Sequence, residues 1–112
     1  MKPVSSIKKS ADFARLRENS VRAHAEGFFV SWNKADTPVR LGIVITTKVG
    51  KANTRNRLRR QIKAASGPVF SSSTGDWSVV CRPDLPNLIE KRGFAWFEKE
   101  LAAAHAKLLA KK

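Results

Sequence analysis

The chain has 112 residues, with 22 Lys and Arg against 9 Asp and Glu, a formal net charge of +13. That length fits one domain, and 42% hydrophobic residues suffice for a core, which excludes a disordered basic tail. One cysteine, Cys81, excludes an internal disulfide and any multi-cysteine zinc site. No apolar run approaches the ~20 residues of a membrane span, and the opening MKPVSSIKKSADF lacks the apolar stretch of a signal peptide. These features predict a soluble cytoplasmic domain that meets a polyanion. Nucleic acid fits better than a membrane surface, for which an anchoring apolar face is missing.

In chain order, the first helix is expected after Ser10, whose hydroxyl can accept from the orphan amides of the first turn. Phe13, Leu16 and Val21 supply its apolar edge, Arg15, Arg17 and Glu18 face outward, and Asn19 can end it. Residues 21–25 read as a short strand and 28–34 as a second, with Asp36-Thr37-Pro38 as its turn. In residues 40–47, Leu41, Ile43 and Ile45 alternate with Arg40, Gly42, Val44 and Thr46, the pattern of a strand with one apolar face. Gly50 closes that region. Asn53 or Thr54 can cap a helix that reaches about Ser66 and stops before Gly67-Pro68, with Leu58, Ile62 and Ala65 along one side. Residues 71–75 form a loop, and 76–82 a strand centred on Trp77, Val79 and Val80. Pro83 and Pro86 bracket another loop. A last helix spans 93–110, its buried stripe Phe94, Phe97, Leu101, Ala104 and Leu108. The order predicts an α+β sandwich, one sheet with helices packed on it, forming a single domain over 1–112 with loose basic ends at 1–9 and 111–112.

The segment KVGKANTRNRLRRQIK, residues 48–63, carries the chemistry. Its 16 residues hold seven cations and no acid: Lys48, Lys51, Arg55, Arg57, Arg59, Arg60 and Lys63. With Leu58 and Ile62 turned inward, Asn56, Arg59, Arg60 and Lys63 fan over the opposite face, flanked by Arg55 and Arg57. Like charges four apart cost an isolated helix a few tenths of a kcal/mol, and a polyanion removes that cost. Arg suits phosphate because its planar guanidinium can donate two bonds at once. Asn56 can read a base edge or a sugar hydroxyl. A solvated basic face on an ordinary amphipathic helix is the plainer reading. The one-signed, Arg-rich run in a strongly basic domain favours nucleic acid.

Arg40-Leu41-Gly42-Ile43, then Lys48-Val49-Gly50, Ala52 and Arg55-Asn56-Arg57-Leu58-Arg59-Arg60 resemble the signature of the bacterial ribonuclease P protein subunit. KSADFARL, residues 9–16, is similar to that family's first helix, and DWSVVCRP, residues 76–83, to its strand ending in Arg-Pro. The resemblance covers nearly the whole chain in order. It implies the order α-β-β-β-α-β-α, one four-stranded sheet, and a left-handed βαβ crossover through the basic helix, against the usual right-handed rule. It also implies binding to a large catalytic RNA, in a complex that removes the 5′ leader of precursor tRNA. The RNA would hold the Mg2+ and carry the chemistry. Position by position, Arg55, Asn56, Arg57, Arg59 and Arg60 would contact the catalytic RNA, joined by Lys48, Lys51 and Lys63 of the same basic run. Phe13 and Trp32 match positions lining the family's leader cleft, where stacking contributes ~1–3 kcal/mol per base. Arg17 falls where the family often has an aromatic, so its contact would be to phosphate or through the guanidinium plane. The family's paired lysines are here Thr47-Lys48, and its usual Asn after Gly50 is Lys51.

The remaining candidates have structural readings. Phe13 is equally a core anchor, and Trp32 lies on a strand whose faces are both partly apolar, leaving its side open. Trp77 reads as core or edge packing, Trp96 as partly exposed, and Cys81 as an inert buried thiol. His24 and His105 lack acids at ligand spacing, and the scattered carboxylates resemble no two-metal nuclease site. No phosphate-cradling glycine loop or Ser/His/Asp order is present, so no catalytic residue is expected in the chain itself. The expected partners are the catalytic RNA and precursor tRNA, with no membrane and no obligate protein partner. The alternatives are a non-enzymatic RNA-binding module of ribosomal or chaperone type, and a DNA-binding regulator. Gly50-Lys51-Ala52 leaves the latter little room for the packed first helix of a helix-turn-helix.

Overall fold

The computed structural model describes residues 5–6 and 21–110. The helix expected after Ser10, with Phe13 and Arg17, lies outside the described residues, as do 111–112. Five strands form one sheet: β1 (Ser5–Ser6), β2 (Val21–Ala25), β3 (Phe28–Pro38), β4 (Arg40–Val44) and β5 (Thr74–Cys81), in the order β1-β4-β5-β3-β2. Among the described residues three helices accompany them: α1 (Ala52–Phe70), α2 (Leu85–Arg92) and α3 (Phe94–Ala110). β4 is parallel to β1 and β5, while β3 is antiparallel to β5 and β2, so the sheet is mixed. The four longer strands are those expected, and β1 adds a two-residue edge beside β4.

Register decides which side chains meet the helices. Trp32 pairs with Trp77, Val30 with Val79 and Phe28 with Cys81 across β3 and β5, and Leu41 and Ile43 of β4 join the same rows. Because successive residues alternate faces, these side chains share one face, and the helices cover it. Phe28 meets Phe97 edge-on at 5.2 Å, and Phe70 lies 5.1 Å from Trp77. Leu58, Ile62 and Ala65 of α1 and Phe97, Leu101, Ala104 and Leu108 of α3 complete the core, as their helical spacing predicted. The other face carries Arg22, His24, Phe29, Ser31, Ser78 and Asp76. There Arg40 donates two hydrogen bonds to the Asp76 carboxylate, at 2.8 and 2.7 Å, tying β4 to β5.

Several boundaries differ from expectation. β3 continues through Asp36 to Pro38, across an irregularity in its pairing with β5 after Asn33, and a strand end of that kind tolerates a proline without an amide hydrogen. β4 ends at Val44, and a 3-10 turn over Thr47–Val49 drops Val49 into the core at 8% exposure. α1 begins at Ala52 after Lys51, with neither Asn53 nor Thr54 as cap, and runs past Gly67 and Pro68 to Phe70. Complete burial of Phe70 offsets the hydrogen bond that Pro68 cannot make. The expected loop at Pro83 and Pro86 is largely α2, because proline fits the first turn of a helix, where amides have no intrahelical partner. α2 packs on the β2–β3 turn through Gly27, at φ 86°, where a Cβ would lie 2.7 Å from Leu88 Cδ1. The order after β5 is therefore two helices, where one was expected.

Candidate nucleic-acid interface

α1 distributes the basic run over three surroundings. Asn53, Asn56, Arg59, Arg60 and Lys63 recur at helical spacing and line an open groove of about 450 Å3. All five are exposed, while Leu58 and Ile62 on the far side are buried. One stripe around, Thr54, Arg57 and Gln61 form one wall of a second cleft of about 490 Å3, whose other walls are Pro86, Asn87 and Glu90 of α2 and Phe94 of α3. Arg55 is the exception. It is half-buried, and its Nε donates to the Gly50 carbonyl at 3.2 Å, holding the turn that leads into the helix. Gly50 itself sits at φ 151°, a conformation that side-chain-bearing residues rarely adopt.

Lys48, on the 3-10 turn, and Lys51, immediately before α1, extend the exposed charge toward the helix start. The first turn of α1 has no acid and no side-chain cap, so its leading amides add partial positive charge beside the lysines. Among the described residues, the ion pairs are Arg40–Asp76 and Arg92–Glu26, and neither involves α1. Six cations therefore stand exposed on one element and its leading turn: Lys48, Lys51, Arg57, Arg59, Arg60 and Lys63. The groove and the cleft separate Arg57 from Arg59, Arg60 and Lys63, a division that the helical wheel alone does not reveal.

Trp32 does not offer an open stacking platform. It is 5% exposed on the helix-covered face, stacked on Trp77 at 4.5 Å and 10°, and its Nε1 donates to the Thr74 carbonyl. Among the described residues, Phe29 lies on the opposite face, a position that the sequence pattern does not single out. Its half-buried ring has the Arg22 guanidinium at 5.5 Å, the Arg82 guanidinium at 6.0 Å and the His24 ring at 5.3 Å. The available signal was the alternation of Arg22 and His24 around Ala23, opposite a Phe28-Phe29 pair whose register only the hairpin fixes.

The other polar candidates are structural. Burial pushes the Cys81 thiol up to about 12, against the opposing pull of Arg59, so the group stays protonated. Burial also lowers the His105 pKa. Its Nε2 lies 2.5 Å from Ser73 Oγ, and its ring packs on Phe70 and Trp77. No group of three or more His, Cys, Asp or Glu that could hold a metal ion occurs among the described residues. None of their helices is long and apolar enough to cross a membrane.

A mixed sheet backed by helices, with a one-signed Arg-rich helix face, has the electrostatic footprint of a small nucleic-acid-binding domain. The family model described as Ribonuclease P matches residues 1–109. Over 69 residues the chain is 39% identical to the ribonuclease P protein component of Clavibacter michiganensis, covering 62% of this chain and 59% of that protein. It is 33% identical over 86 residues to the corresponding protein of Nitratiruptor, covering 76% and 78%. The solved RNase P protein of Staphylococcus aureus superposes with a TM-score of 0.74 at 27% identity, over 94% of this chain and 97% of that one. The match to the Clavibacter protein thus spans less than two thirds of that relative. The chain belongs to the ribonuclease P protein family.

Proposed function

We propose that this chain is the protein subunit of a cytoplasmic ribonuclease P ribonucleoprotein, binding its catalytic RNA and helping to remove the 5′ leader of precursor tRNA. The observation that carries the reading is the set of six exposed cations on α1 and its leading turn, none of them in an ion pair among the described residues. Lys48, Lys51, Arg59, Arg60 and Lys63 neutralise phosphates of the catalytic RNA, with Arg57 beside them and Asn56 at a base or sugar edge. Arg55 contributes by fixing the turn below the helix and presents less of its charge. The family resemblance adds the left-handed β4–α1–β5 crossover.

The mechanism is electrostatic. A catalytic RNA and a single-stranded leader repel each other, and Mg2+ or protein cations must screen that repulsion before the leader docks. Mg2+ is a hard cation that takes oxygen ligands and keeps several waters, so the phosphate-rich RNA is its natural holder. The protein supplies fixed charge on one side and a leader-binding face on the other. Phe29 gives that face an aromatic ring with the Arg22 and Arg82 guanidinium groups at 5.5 and 6.0 Å, a pairing of ring and cation that suits a base of any identity. By resemblance, Phe13 and Arg17 belong to the leader cleft. Trp32 is assigned to the core.

Comparing precursor and mature tRNA binding to the RNA subunit, with and without this protein, tests the reading. The protein is expected to tighten precursor binding selectively, and Phe29→Ala with Arg82→Ala to narrow the gap. Equal tightening of precursor and mature tRNA would reduce the protein to a plain RNA-binding module.

A further inference from the structure

The cleft between α1 and α2 is chemically unlike the basic groove beside it. Its floor includes Leu58 and Ile89, Phe94 and Pro86 supply an apolar wall, and Arg57, Gln61, Asn87 and Glu90 form the rim. Its volume of about 490 Å3 lies within the ~300–1,000 Å3 typical of small-ligand sites. Among the described residues, neither Arg57 nor Glu90 has an ion-pair partner.

A surface that only gripped phosphate would gain nothing from Glu90, because a carboxylate repels the backbone. A carboxylate does favour adjacent N–H donors. Among the four RNA bases, guanine alone presents two on its Watson–Crick edge, N1–H and the N2 amino group. Adenine and cytosine place a ring acceptor beside their amino group, and uracil flanks its N3–H with two carbonyls. Phe94 provides a ring for the base face, Arg57 a cation for the attached phosphate, and the Asn87 and Gln61 amides can meet the remaining edge atoms.

We propose that the α1–α2 cleft receives one unstacked guanine nucleotide of the RNA partner, read by Glu90 and anchored by Arg57. The inference rests on the RNA-binding reading above. It gives α2 a role in recognition and assigns Arg57 to a base-reading site, apart from the phosphate-gripping Arg59, Arg60 and Lys63.

The probe is guanosine 5′-monophosphate, titrated at millimolar concentration into the full chain and followed by NMR, with adenosine 5′-monophosphate and inorganic phosphate as controls. Guanosine monophosphate is expected to shift the Asn87 and Gln61 side-chain amides and the Phe94 ring saturably. Inorganic phosphate is expected to shift the Asn56 and Lys63 region and to leave the Asn87 amide and the Phe94 ring unmoved. Glu90→Gln should reduce the preference for guanine over adenine by about tenfold, the discrimination typical of a bidentate base contact. Asn87→Trp, which fills the cleft from an exposed position, should abolish guanosine monophosphate binding and weaken binding to ribonuclease P RNA, with its circular dichroism unchanged. Equal responses to all three ligands, or shifts confined to the Asn56–Lys63 groove, would overturn the proposal while leaving the RNA-binding reading intact. Failure of the unaltered protein to bind ribonuclease P RNA, with guanine selectivity retained, would instead remove the broader reading.

Discussion

Replacing Arg59 and Arg60 with alanine removes two of six exposed cations from a helix face without touching the core, since both side chains are exposed while Leu58 and Ile62 carry the packing. If each exposed cation neutralises one phosphate, log affinity should fall against log salt with a slope of roughly −4 to −5, using ~0.7 per phosphate for single strands and ~0.9 for duplex. Between 50 and 200 mM salt the unaltered protein would lose affinity by about 300- to 2,000-fold. The double variant keeps four contacts, so its slope becomes roughly −3 to −4 and its loss about 50- to 150-fold. Filter binding to ribonuclease P RNA across that salt range reads both numbers. Arg55→Ala serves as the internal comparison, because its Nε is already engaged by the Gly50 carbonyl. It should alter affinity through the geometry of the helix start and change the slope by less than Arg59→Ala does. An unchanged slope in the double variant would place the RNA contact elsewhere. A slope change for Arg55→Ala equal to that for Arg59→Ala would refute the division of labour along α1.

Trp32→Ala should destabilise the fold by about 3–5 kcal/mol in urea unfolding, the cost of removing a buried aromatic. Phe29→Ala should cost less stability and lose more leader crosslinking, and the reverse pattern would return the leader contact to Trp32. His105 has its pKa held below its ordinary 6.5 by burial, so the folded state binds fewer protons than the unfolded one as pH falls through that region. Its contribution to stability is therefore present above pH 6.5 and declines as pH drops toward its folded value. Urea midpoints at pH 7.5 and pH 5 should differ by less in His105→Gln than in the unaltered protein. Cys81, its thiol pushed up to about 12, should resist iodoacetamide at pH 8 in the folded protein and react once the chain is unfolded. Rapid labelling of the folded chain would contradict its burial.

The parts of the fold that were legible in the sequence are those with long, strict periods. Leu58, Ile62 and Ala65 marked the inner side of α1, and Phe97, Leu101, Ala104 and Leu108 that of α3, because 3.6-residue spacing sustained over about two to three turns leaves little choice of face. α2 was hidden by its length of eight residues and by Pro86, which marks a turn as readily as a helix start. The end of α1 was misplaced because Gly67-Pro68 are local stop signals, whereas the burial of Phe70 against Trp77 is a tertiary effect. Trp32 illustrates the parity of strands. Its face depends on the Glu26-Gly27 turn that pairs Phe28 with Ala25, and a shift of one residue exchanges it with Ser31. The basic composition of the site was plain from the sequence. Its division into a basic groove, a second cleft and a half-buried Arg55 depended on where α2 and Gly50 lie in space.

The decisive measurement is precursor tRNA cleavage by a bacterial ribonuclease P RNA at limiting Mg2+, with and without this protein. Correct 5′ processing should require the protein at low Mg2+, weaken in the Arg59→Ala/Arg60→Ala variant, and return when Mg2+ is raised. Tight RNA binding with no gain in cleavage at any Mg2+ concentration would contradict the proposed function.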